Sequence, residues 1–222
     1  MRHPSPYAAP GFYDKALADG RHRDIVGGRW EETPRIVLPL LTRHGLTAKD
    51  HLLDIGAGSL RLGRHLAAMV TAYWATDASR ALMLKGWETE LDDTARHDLP
   101  QDHLVEDAAF LYPNIPDTIT FVLAFAVFTH LPAQDLHTAL TNLRPRFPHL
   151  RRIIFTLFLA PEGHHGPYRQ ADGVVTHPDR FPWHMTEGKA LSISAAAGFT
   201  ATAHPHRLPR GQVMFTAEPT AP

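Results

Sequence analysis

Three aspartates and a glycine turn are the residues of this sequence whose types and spacing could do chemistry. Residues 52–58 read LLDIGAG, a short apolar strand that carries a carboxylate and runs directly into a glycine turn. Glycine lets a ligand approach the backbone closely, and such a turn at the carboxyl edge of a parallel sheet is a common binding position. We therefore predict that Asp54, Gly56, Ala57 and Gly58 bind a cofactor. The alternative is an ordinary strand-turn-helix junction whose glycines serve steric needs alone.

Two further aspartates end the next two predicted strands. Asp77 follows Asp54 by 23 residues, and Asp107 ends the third strand in the segment VEDA. A carboxylate at the end of the second strand can accept hydrogen bonds from both hydroxyls of a ribose, and one at the end of the third can reach an adenine amino group. Each aspartate alone is equally compatible with a solvated strand end or a helix cap. The predicted cofactor-binding set also includes Ala78, Ala108 and Phe125.

The residues around the glycine turn distinguish between two cofactors. The NAD fingerprint is Gly-x-Gly-x-x-Gly/Ala, and in this sequence Arg61 occupies its last position. Asp54, which precedes the turn, could face the cationic amino group in the methionine part of S-adenosylmethionine (SAM). Both features favour SAM over NAD.

The segment from Asp54 to Gly58 resembles motif I of the class I SAM-dependent methyltransferases. Asp77 is similar to that family's ribose-binding acid and Asp107 to its adenine-contacting acid, and the resemblance covers roughly residues 33–218. The sequence departs from the family at Leu60, where a third glycine is common. The resemblance implies a Rossmann-like fold, SAM as the cofactor and methyl transfer as the activity. Three segments are also similar to a bacterial subgroup of the family: HRDIVGGRW (22–30), FTHLP (128–132) and RGQVM (210–214).

His130 is the predicted catalytic residue. It follows the fourth predicted strand, whose end lies beside the transferable methyl group in the fold that the resemblance implies, and it precedes a helix that begins near Pro132. The positive end of a helix lowers the pKa of histidine, and neutral imidazole can accept a proton from a substrate, here with an ionisation at about pH 6–7. The alternative is that His130 only caps or positions the loop, because positioning carries much of a methyl transfer.

Aromatic and histidine side chains outside these motifs are candidates for a substrate pocket. We predict substrate contacts for Trp30, Phe128, His164, Trp183 and His184. The alternative for the aromatic residues is a place in the core. The 16 histidines include no HxxxH pair on a helix with the carboxylates that would complete a zinc site, so we predict no metal.

Alternating strands and helices must position these residues. This order predicts an α/β fold with a doubly wound, mostly parallel seven-stranded sheet that ends in a C-terminal antiparallel hairpin. Strands are predicted over residues 51–55, 72–76, 103–106, 118–128, 152–159, 200–206 and 212–217. Helices are predicted over residues 33–44, 79–91, 132–143 and 186–197.

The sequence divides into three parts. We expect residues 1–32 to form an N-terminal arm and lid segment, residues 33–218 the SAM-binding domain, and residues 219–222 a flexible tail. Residues 161–185 are rich in histidine, proline and glycine, and a loop of this length inside a compact domain usually has a function. We expect residues 11–32 and 161–185 to cover the site at the carboxyl edge of the sheet.

Composition excludes several classes of protein. The 222 residues include no cysteine, which excludes disulfides, thiolate metal sites and cysteine nucleophiles. The net charge of −1 provides no basic excess for nucleic acid, and the longest apolar runs are too short to cross a bilayer. The polar, proline-rich first ten residues lack a signal-peptide pattern, so we expect a cytoplasmic protein without a nucleic-acid or membrane partner.

Together these features predict a SAM-dependent methyltransferase. We expect it to transfer a methyl group to an N or O atom of a small molecule or peptide. The first alternative is a protein that binds SAM or a nucleotide without catalysis, because the three aspartates suit both. The second is an NAD-dependent oxidoreductase, which Arg61 disfavours.

Overall fold

A central sheet of eight strands organises the part of the chain that the computed structural model describes, residues 5, 7, 9, 11–206 and 208–220. Its strands are β1 (His51–Ile55), β2 (Ala72–Asp77), β3 (Leu104–Glu106), β4 (Phe121–Ala124), β5 (Arg152–Leu159), β8 (His184–Met185), β9 (Phe199–His204) and β10 (Val213–Pro219). A separate two-stranded hairpin consists of β6 (Tyr168–Arg169) and β7 (Val175–Thr176).

The strand order is β3-β2-β1-β4-β5-β10-β9, with β8 pairing beside the end of β5. All these pairs are parallel except the two made by β10, which runs antiparallel to both β5 and β9. The predicted fold class is confirmed, and the seven predicted strands are all present. The two-residue strand β8 is an eighth that the sequence pattern does not reveal.

Helices connect the strands and lie on both faces of the sheet. They are α1 (Phe12–Ala18), α2 (His22–Ile25), α3 (Glu32–Arg43), α4 (Gly63–Leu66), α5 (Arg80–Glu90), α6 (Asp93–Asp98), α7 (Ala133–Arg146) and α8 (Glu187–Ala196). Side-chain oxygens cap three of them by accepting a backbone N–H of the first turn: Ser79 caps α5, Asp92 caps α6 and Thr186 caps α8. These caps set where the helices that follow β2 and β8 begin.

Adjacent residues of the central strands point into different cores. Leu53 of β1 packs in the same buried cluster as Leu140 of α7, whereas its neighbour Leu52 packs with Leu41 of α3 in a second cluster. A strand sends successive side chains to opposite faces of its sheet. Both faces of β1 are therefore covered, which explains why the adjacent residues Leu52 and Leu53 are both apolar rather than alternating with polar ones.

The fourth strand is shorter than its sequence predicts. Residues 118–128 read as one apolar run, yet β4 covers only Phe121–Ala124. Ala126 has a φ of 59°, and its N–H donates a hydrogen bond to Thr156 Oγ1 of β5 at 2.8 Å. This tertiary bond turns the chain out of the sheet, so the rest of the run becomes a loop along the carboxyl edge.

Residues 161–185 form an ordered segment rather than a long irregular loop. The β6–β7 hairpin and β8 lie within it. The Gln170 amide donates hydrogen bonds to the Leu159 carbonyl at 3.0 Å and to Thr176 Oγ1 at 2.9 Å. These bonds hold the hairpin against the end of β5.

The C-terminal end of the described chain contacts the domain. Strand β10 extends to Pro219, and the Arg144 guanidinium donates hydrogen bonds to the carbonyl and hydroxyl of Thr220. The other predicted tail residues, 221 and 222, lie outside the described residues, as do residues 1–4, 6, 8 and 10 of the predicted arm.

No helix in the described ranges is both long and apolar enough to cross a membrane.

Helix α5 packs directly against the turn that follows β1. A Cβ atom at Gly86 would lie 2.2 Å from the Ser59 carbonyl oxygen, and this neighbour is backbone. We therefore expect Gly86→Ala to destabilise the fold by about 1–3 kcal/mol, the usual cost of overpacking, despite alanine's higher helix propensity. Urea denaturation measures the change.

The matched control for this substitution is Gly188→Ala in α8. Its Cβ would meet an exposed carboxylate oxygen of Glu162 at 3.0 Å, which can move aside. Its free energy of unfolding should stay the same or rise by up to about 1 kcal/mol. Equal effects at the two positions would show that the close approach at Gly86 does not matter.

Candidate functional site

A cavity of about 490 Å³ opens at the carboxyl ends of β1, β2 and β3. Its lining includes all nine residues that the sequence predicts as cofactor contacts, and it also includes His130. The nine are Asp54, Gly56, Ala57, Gly58, Asp77, Ala78, Asp107, Ala108 and Phe125. The parallel sheet brings these residues together, because the ends of parallel strands meet at one edge.

Asp77 links the turn after β1 to the end of β2. Its two carboxylate oxygens accept hydrogen bonds from the Gly58 N–H at 2.9 Å and the Ser79 N–H at 3.0 Å. Each oxygen has two acceptor positions, so each can accept one more donor from the cavity. Burial raises the pKa of Asp77 to about 6, and the backbone donors partly oppose this shift.

Gly58 is required both by its conformation and by its surroundings. Its φ is 58°, a left-handed conformation that is energetically unfavourable for any residue with a side chain. A Cβ atom there would lie 2.3 Å from Cγ1 of Val26 in the N-terminal segment. The glycine therefore lets the N-terminal segment approach the turn closely.

Asp54 is the most deeply buried of the three carboxylates. Only 3% of the residue is exposed, and the Tyr73 hydroxyl donates a hydrogen bond to its Oδ2 at 2.7 Å. Burial raises the pKa of Asp54 to about 7, and the charge of Asp77 adds to this effect, whereas Tyr73 and Arg61 oppose it. A cation placed beside Asp54 would favour its ionised form.

Asp107 organises the loop that follows β3. Its carboxylate accepts hydrogen bonds from the N–H groups of Ala109, Leu111 and Tyr112 at 2.8–3.2 Å. Its own N–H donates to the Asp77 carbonyl at 2.9 Å. The side chain therefore shapes this end of the cavity, and one of its four acceptor positions remains for a ligand.

His130 lines the cavity between two aromatic rings. Its ring stacks on Phe181 with 5.2 Å between centroids and meets the ring of Tyr7 edge-on at 4.8 Å. Nδ1 is buried and has no hydrogen-bond partner among the described residues. Burial, assisted by the charge of Arg210, lowers the pKa of His130 to about 4. The neutral imidazole is as predicted, but its cause is desolvation rather than the helix end, and the ionisation lies below pH 6–7.

The five residues predicted to contact substrate do not line this cavity. Phe128 is buried in the core between Phe110 and Phe155, and Trp30 lies beneath the guanidinium groups of Arg23 and Arg64.

The other three lie in the segment that contains β6, β7 and β8. Trp183 and His184 are buried, and His184 Nδ1 lies 2.8 Å from Thr176 Oγ1. His164 packs edge-on against Tyr168. Composition alone does not separate such structural aromatic residues from those of a pocket.

The N-terminal segment contributes lining residues that sequence reasoning did not identify. These are Ser5, Tyr7, Tyr13, Ile25 and Val26. The three short segments that are similar to a bacterial subgroup meet here. The Gly27 carbonyl accepts a hydrogen bond from Arg210 at 2.7 Å, and Gly27, His130 and Arg210 line one small cavity. The presence of all three segments in one sequence was the feature from which this contact could have been predicted.

Three histidines form a cluster away from the cavity lining. The ligand nitrogens of His44, His204 and His206 all lie within 4.8 Å of one another. The Nε2 atoms of His44 and His206 are 2.8 Å apart and share a hydrogen bond. Burial and the charges of its neighbours, including Arg152, lower the pKa of His44 to about 4. The three ring nitrogens are close enough together to be ligands of one metal ion, a grouping that the sequence pattern did not predict.

No protein-family model and no curated protein matches this sequence. Solved methyltransferase structures share its fold. CalS10, an amino pentose methyltransferase from Micromonospora echinaspora with bound SAM, is 17% identical with a TM-score of 0.59, and the alignment covers 94% of this chain and 97% of that chain. Magnesium protoporphyrin IX methyltransferase from Synechocystis PCC 6803 with bound SAM is 15% identical with a TM-score of 0.58, covering 97% and 94%.

A third neighbour is the glycopeptide N-methyltransferase MtfA, at 14% identity and a TM-score of 0.61, covering 83% of this chain and 89% of that chain. At 14–17% identity, these comparisons show that the fold is shared and nothing finer. The class I methyltransferase fold that the sequence resemblance implied is confirmed.

The buried carboxylates make a prediction about stability. Unfolded aspartate ionises at about pH 4, whereas folded Asp54 keeps its proton up to about pH 7. Unfolding between these pH values releases a proton from Asp54, so this group's contribution to the free energy of unfolding should fall as pH rises from about 4 to about 7. His44 and His130, whose pKa values are lowered to about 4, contribute the opposite slope, so the contribution of Asp54 is read from the difference between the parent protein and a variant. Urea denaturation across this range measures the slope.

Asp54→Asn is the control for this pH dependence. The amide oxygen can still accept the Tyr73 hydrogen bond, but the side chain no longer titrates. Relative to the parent protein, the free energy of unfolding of this variant should rise as pH rises from about 4 to about 7, because the falling contribution of Asp54 is removed while those of Asp77 and the histidines remain. A variant with the same slope as the parent protein would show that Asp54 is not the group responsible.

Proposed function

We propose that this protein is a SAM-dependent methyltransferase that methylates an N or O atom of a small molecule or peptide. The observation that carries the proposal is the placement of three carboxylates at the ends of three adjacent parallel strands around one cavity. These are Asp54 of β1, Asp77 of β2 and Asp107 after β3. Neighbours of the same fold, at 15–17% identity, hold SAM at solved sites, which supports this choice of cofactor.

The three carboxylates match the polar groups of SAM in order along the sheet edge. Asp77 has an open acceptor position on each oxygen for the two ribose hydroxyls. Asp107 has one open position for the adenine amino group. Asp54 lies nearest to the turn and would pair with the ammonium of the methionine part, which would offset the cost of burying its charge.

Methyl transfer requires an activated methyl group and a correctly placed acceptor. When bound, SAM supplies a methyl group that its sulfonium already activates. The remaining work of the protein is to orient the acceptor and exclude water. The N-terminal segment contributes to exclusion, since Tyr7, Tyr13 and Val26 line the cavity. We also propose that residues 11–32 and 161–185 cover the site; of the second segment, Val174, Phe181 and Pro182 line a smaller cavity beside it.

His130 is placed to receive the proton that the acceptor loses. It lines the cavity and is neutral at physiological pH because of its burial. A neutral ring nitrogen can accept a proton from a hydroxyl or amine as the new bond to carbon forms. The rings of Tyr7 and Phe181 restrict its orientation.

The decisive experiment is a screen for methyl transfer with isotope-labelled SAM and small-molecule or peptide acceptors. Transfer of label to any acceptor supports the proposal. A folded protein that binds SAM but transfers nothing across such a screen would favour the alternative of a non-catalytic SAM-binding protein.

Cofactor binding should depend on Asp77. Charge-assisted hydrogen bonds contribute about 1.5–3 kcal/mol each, so we expect Asp77→Ala to weaken S-adenosylhomocysteine (SAH) binding by about 2–4 kcal/mol, or about 30- to 1000-fold. Isothermal calorimetry measures the dissociation constant. Asp77→Asn keeps the shape of the side chain and separates loss of charge from disruption of the turn.

The matched control for Asp77 is Asp117→Ala, an exposed aspartate outside the cavity lining. It should bind SAH as the parent protein does. If folded parent protein bound no SAH at all, the proposed function itself would be wrong.

Turnover should depend on His130 over a defined pH range. We expect His130→Ala to lower the turnover rate by about 10²–10⁴, with SAH affinity within a few-fold of the parent because the cofactor contacts lie elsewhere. With a pKa of about 4, the parent rate should stay flat from pH 6 to 8 and decline only below about pH 5. His149→Ala, an exposed histidine, is the control.

A rate within a few-fold of the parent would contradict the assignment and leave positioning as the source of catalysis. Loss of SAH binding or of stability in His130→Ala would instead mark the residue as structural.

A further inference from the structure

A second, smaller chamber of about 70 Å³ adjoins the main cavity behind His130. The two share Tyr7, Val26, Arg61, Phe125, Ala126 and His130 as lining residues. A group in the second chamber would therefore be adjacent to the histidine and to the main cavity at once. This is the position that an acceptor needs beside a bound cofactor.

Three arginines line this chamber: Arg29, Arg61 and Arg210. The Arg61 guanidinium donates one hydrogen bond to the Gly28 carbonyl at 2.6 Å, and its buried Nε has no partner among the described residues. Arg210 donates to the Gly27 carbonyl at 2.7 Å. Backbone carbonyls orient both side chains, yet they leave both positive charges unneutralised.

Nearby carboxylates do not cancel this charge. Asp172 accepts the backbone N–H of Arg210 at 2.9 Å and lies 4.0 Å from the Arg29 guanidinium. Arg29 also pairs with Glu32 at 3.1 Å. The carboxylate that favours the positive charge of Arg61 is therefore Asp54 in the main cavity. Burial, together with repulsion from Arg210, lowers the pKa of Arg61 to about 10. Arg61 is partly buried and Arg210 is exposed, and an anion that contacts both guanidinium groups would offset the repulsion between them.

The backbone at Arg210 carries its own cost. Its φ is 64°, a left-handed conformation that is uncommon for a residue with a side chain. The bond from its N–H to Asp172 stabilises this turn. Strained backbone that is held by specific bonds is concentrated at binding sites, and here it directs a guanidinium into the chamber.

Part of the remaining wall of the chamber is apolar, beside the polar residues Thr33, Thr129 and Gln212. The apolar part includes Phe125, Phe158, Phe181 and Val174. An arginine pair beside aromatic walls suits a molecule with an apolar body and one anionic group, because guanidinium binds a carboxylate through two parallel hydrogen bonds.

We propose that Arg61 and Arg210 bind a carboxylate of the methyl acceptor in this chamber, so that the substrate is an anionic small molecule. The inference rests on the proposed function, because the main cavity is taken to hold the cofactor. It narrows the substrate to molecules with an acidic group close to the N or O atom that is methylated.

The test uses benzoate as the probe and benzamide as its neutral counterpart, titrated at low salt into protein saturated with SAH. SAH already fills any site for the cofactor's own carboxylate. We expect benzoate to bind the complex at least about tenfold more tightly than benzamide, as measured by calorimetry or ligand-observed NMR. Equal binding of the two, or benzoate that competes with SAH, would overturn the proposal.

Variants of Arg210 test whether benzoate binds in this chamber. Arg210→Gln should weaken benzoate at least about tenfold while SAH affinity changes by less than about threefold, and Arg210→Lys should retain part of the benzoate affinity. Arg43→Gln, at an exposed arginine that ends α3, removes the same charge outside the chamber and should have no effect. If folded Arg210→Gln bound benzoate as the parent does, the chamber would not be the anion site.

The Arg61→Gln variant distinguishes binding of the acceptor's carboxylate from binding of the cofactor's own carboxylate. If Arg61→Gln weakened SAH but left benzoate binding intact, Arg61 would serve the cofactor and the assignment of the arginine pair to the acceptor would be wrong. If the parent bound no SAH, the proposed function would fail, and the benzoate titrations of the free protein would still decide whether the chamber binds an anion.

Discussion

The hydrogen bond from the Gly58 N–H to the Asp77 carboxylate joins the turn after β1 to the end of β2, and the geometry of the cavity depends on it. The Asp77 carbonyl extends the link to β3 by accepting the N–H of Asp107. One aspartate thus holds three strand ends in place through its side chain and its backbone. Because this carboxylate is buried, its two backbone donors also offset part of the cost of its charge.

A second set of contacts holds distant parts of the chain over that edge. The Gly27 and Gly28 carbonyls accept hydrogen bonds from Arg210 near the C-terminus and from Arg61 after the glycine turn. The Ser59 hydroxyl donates to the His22 carbonyl at 2.8 Å. The N-terminal segment is therefore fixed to both halves of the site by its own backbone. A Cβ atom at Gly27 would lie 3.3 Å from the Arg210 guanidinium, whereas at Gly28 it is the φ of 63° that favours glycine.

The sequence predicts those parts of the molecule that local patterns determine. The strand-turn segment around Asp54 and the aspartates that end β2 and β3 were predictable, because parallel strands bring their ends to one edge whatever the loops do. The length of β4 was not, because Ala126 leaves the sheet through a bond to Thr156, 30 residues away in the chain. The place of Phe128 in the core was not predictable either, because the sequence pattern around an aromatic residue does not distinguish a core position from a pocket position.

The N-terminal segment has a kinetic consequence. The side chains of His22 and Arg23 both bind the Glu90 carboxylate, at 2.7–2.8 Å, so α2 is fastened to the end of α5 while Val26 lies against Gly58. Detachment of α2 from α5 would widen the cavity, because Ile25 and Val26 line it. Loss of the ion pairs to Glu90 would then change the rate at which a ligand exchanges, whereas the carboxylates at the strand ends contribute to its affinity.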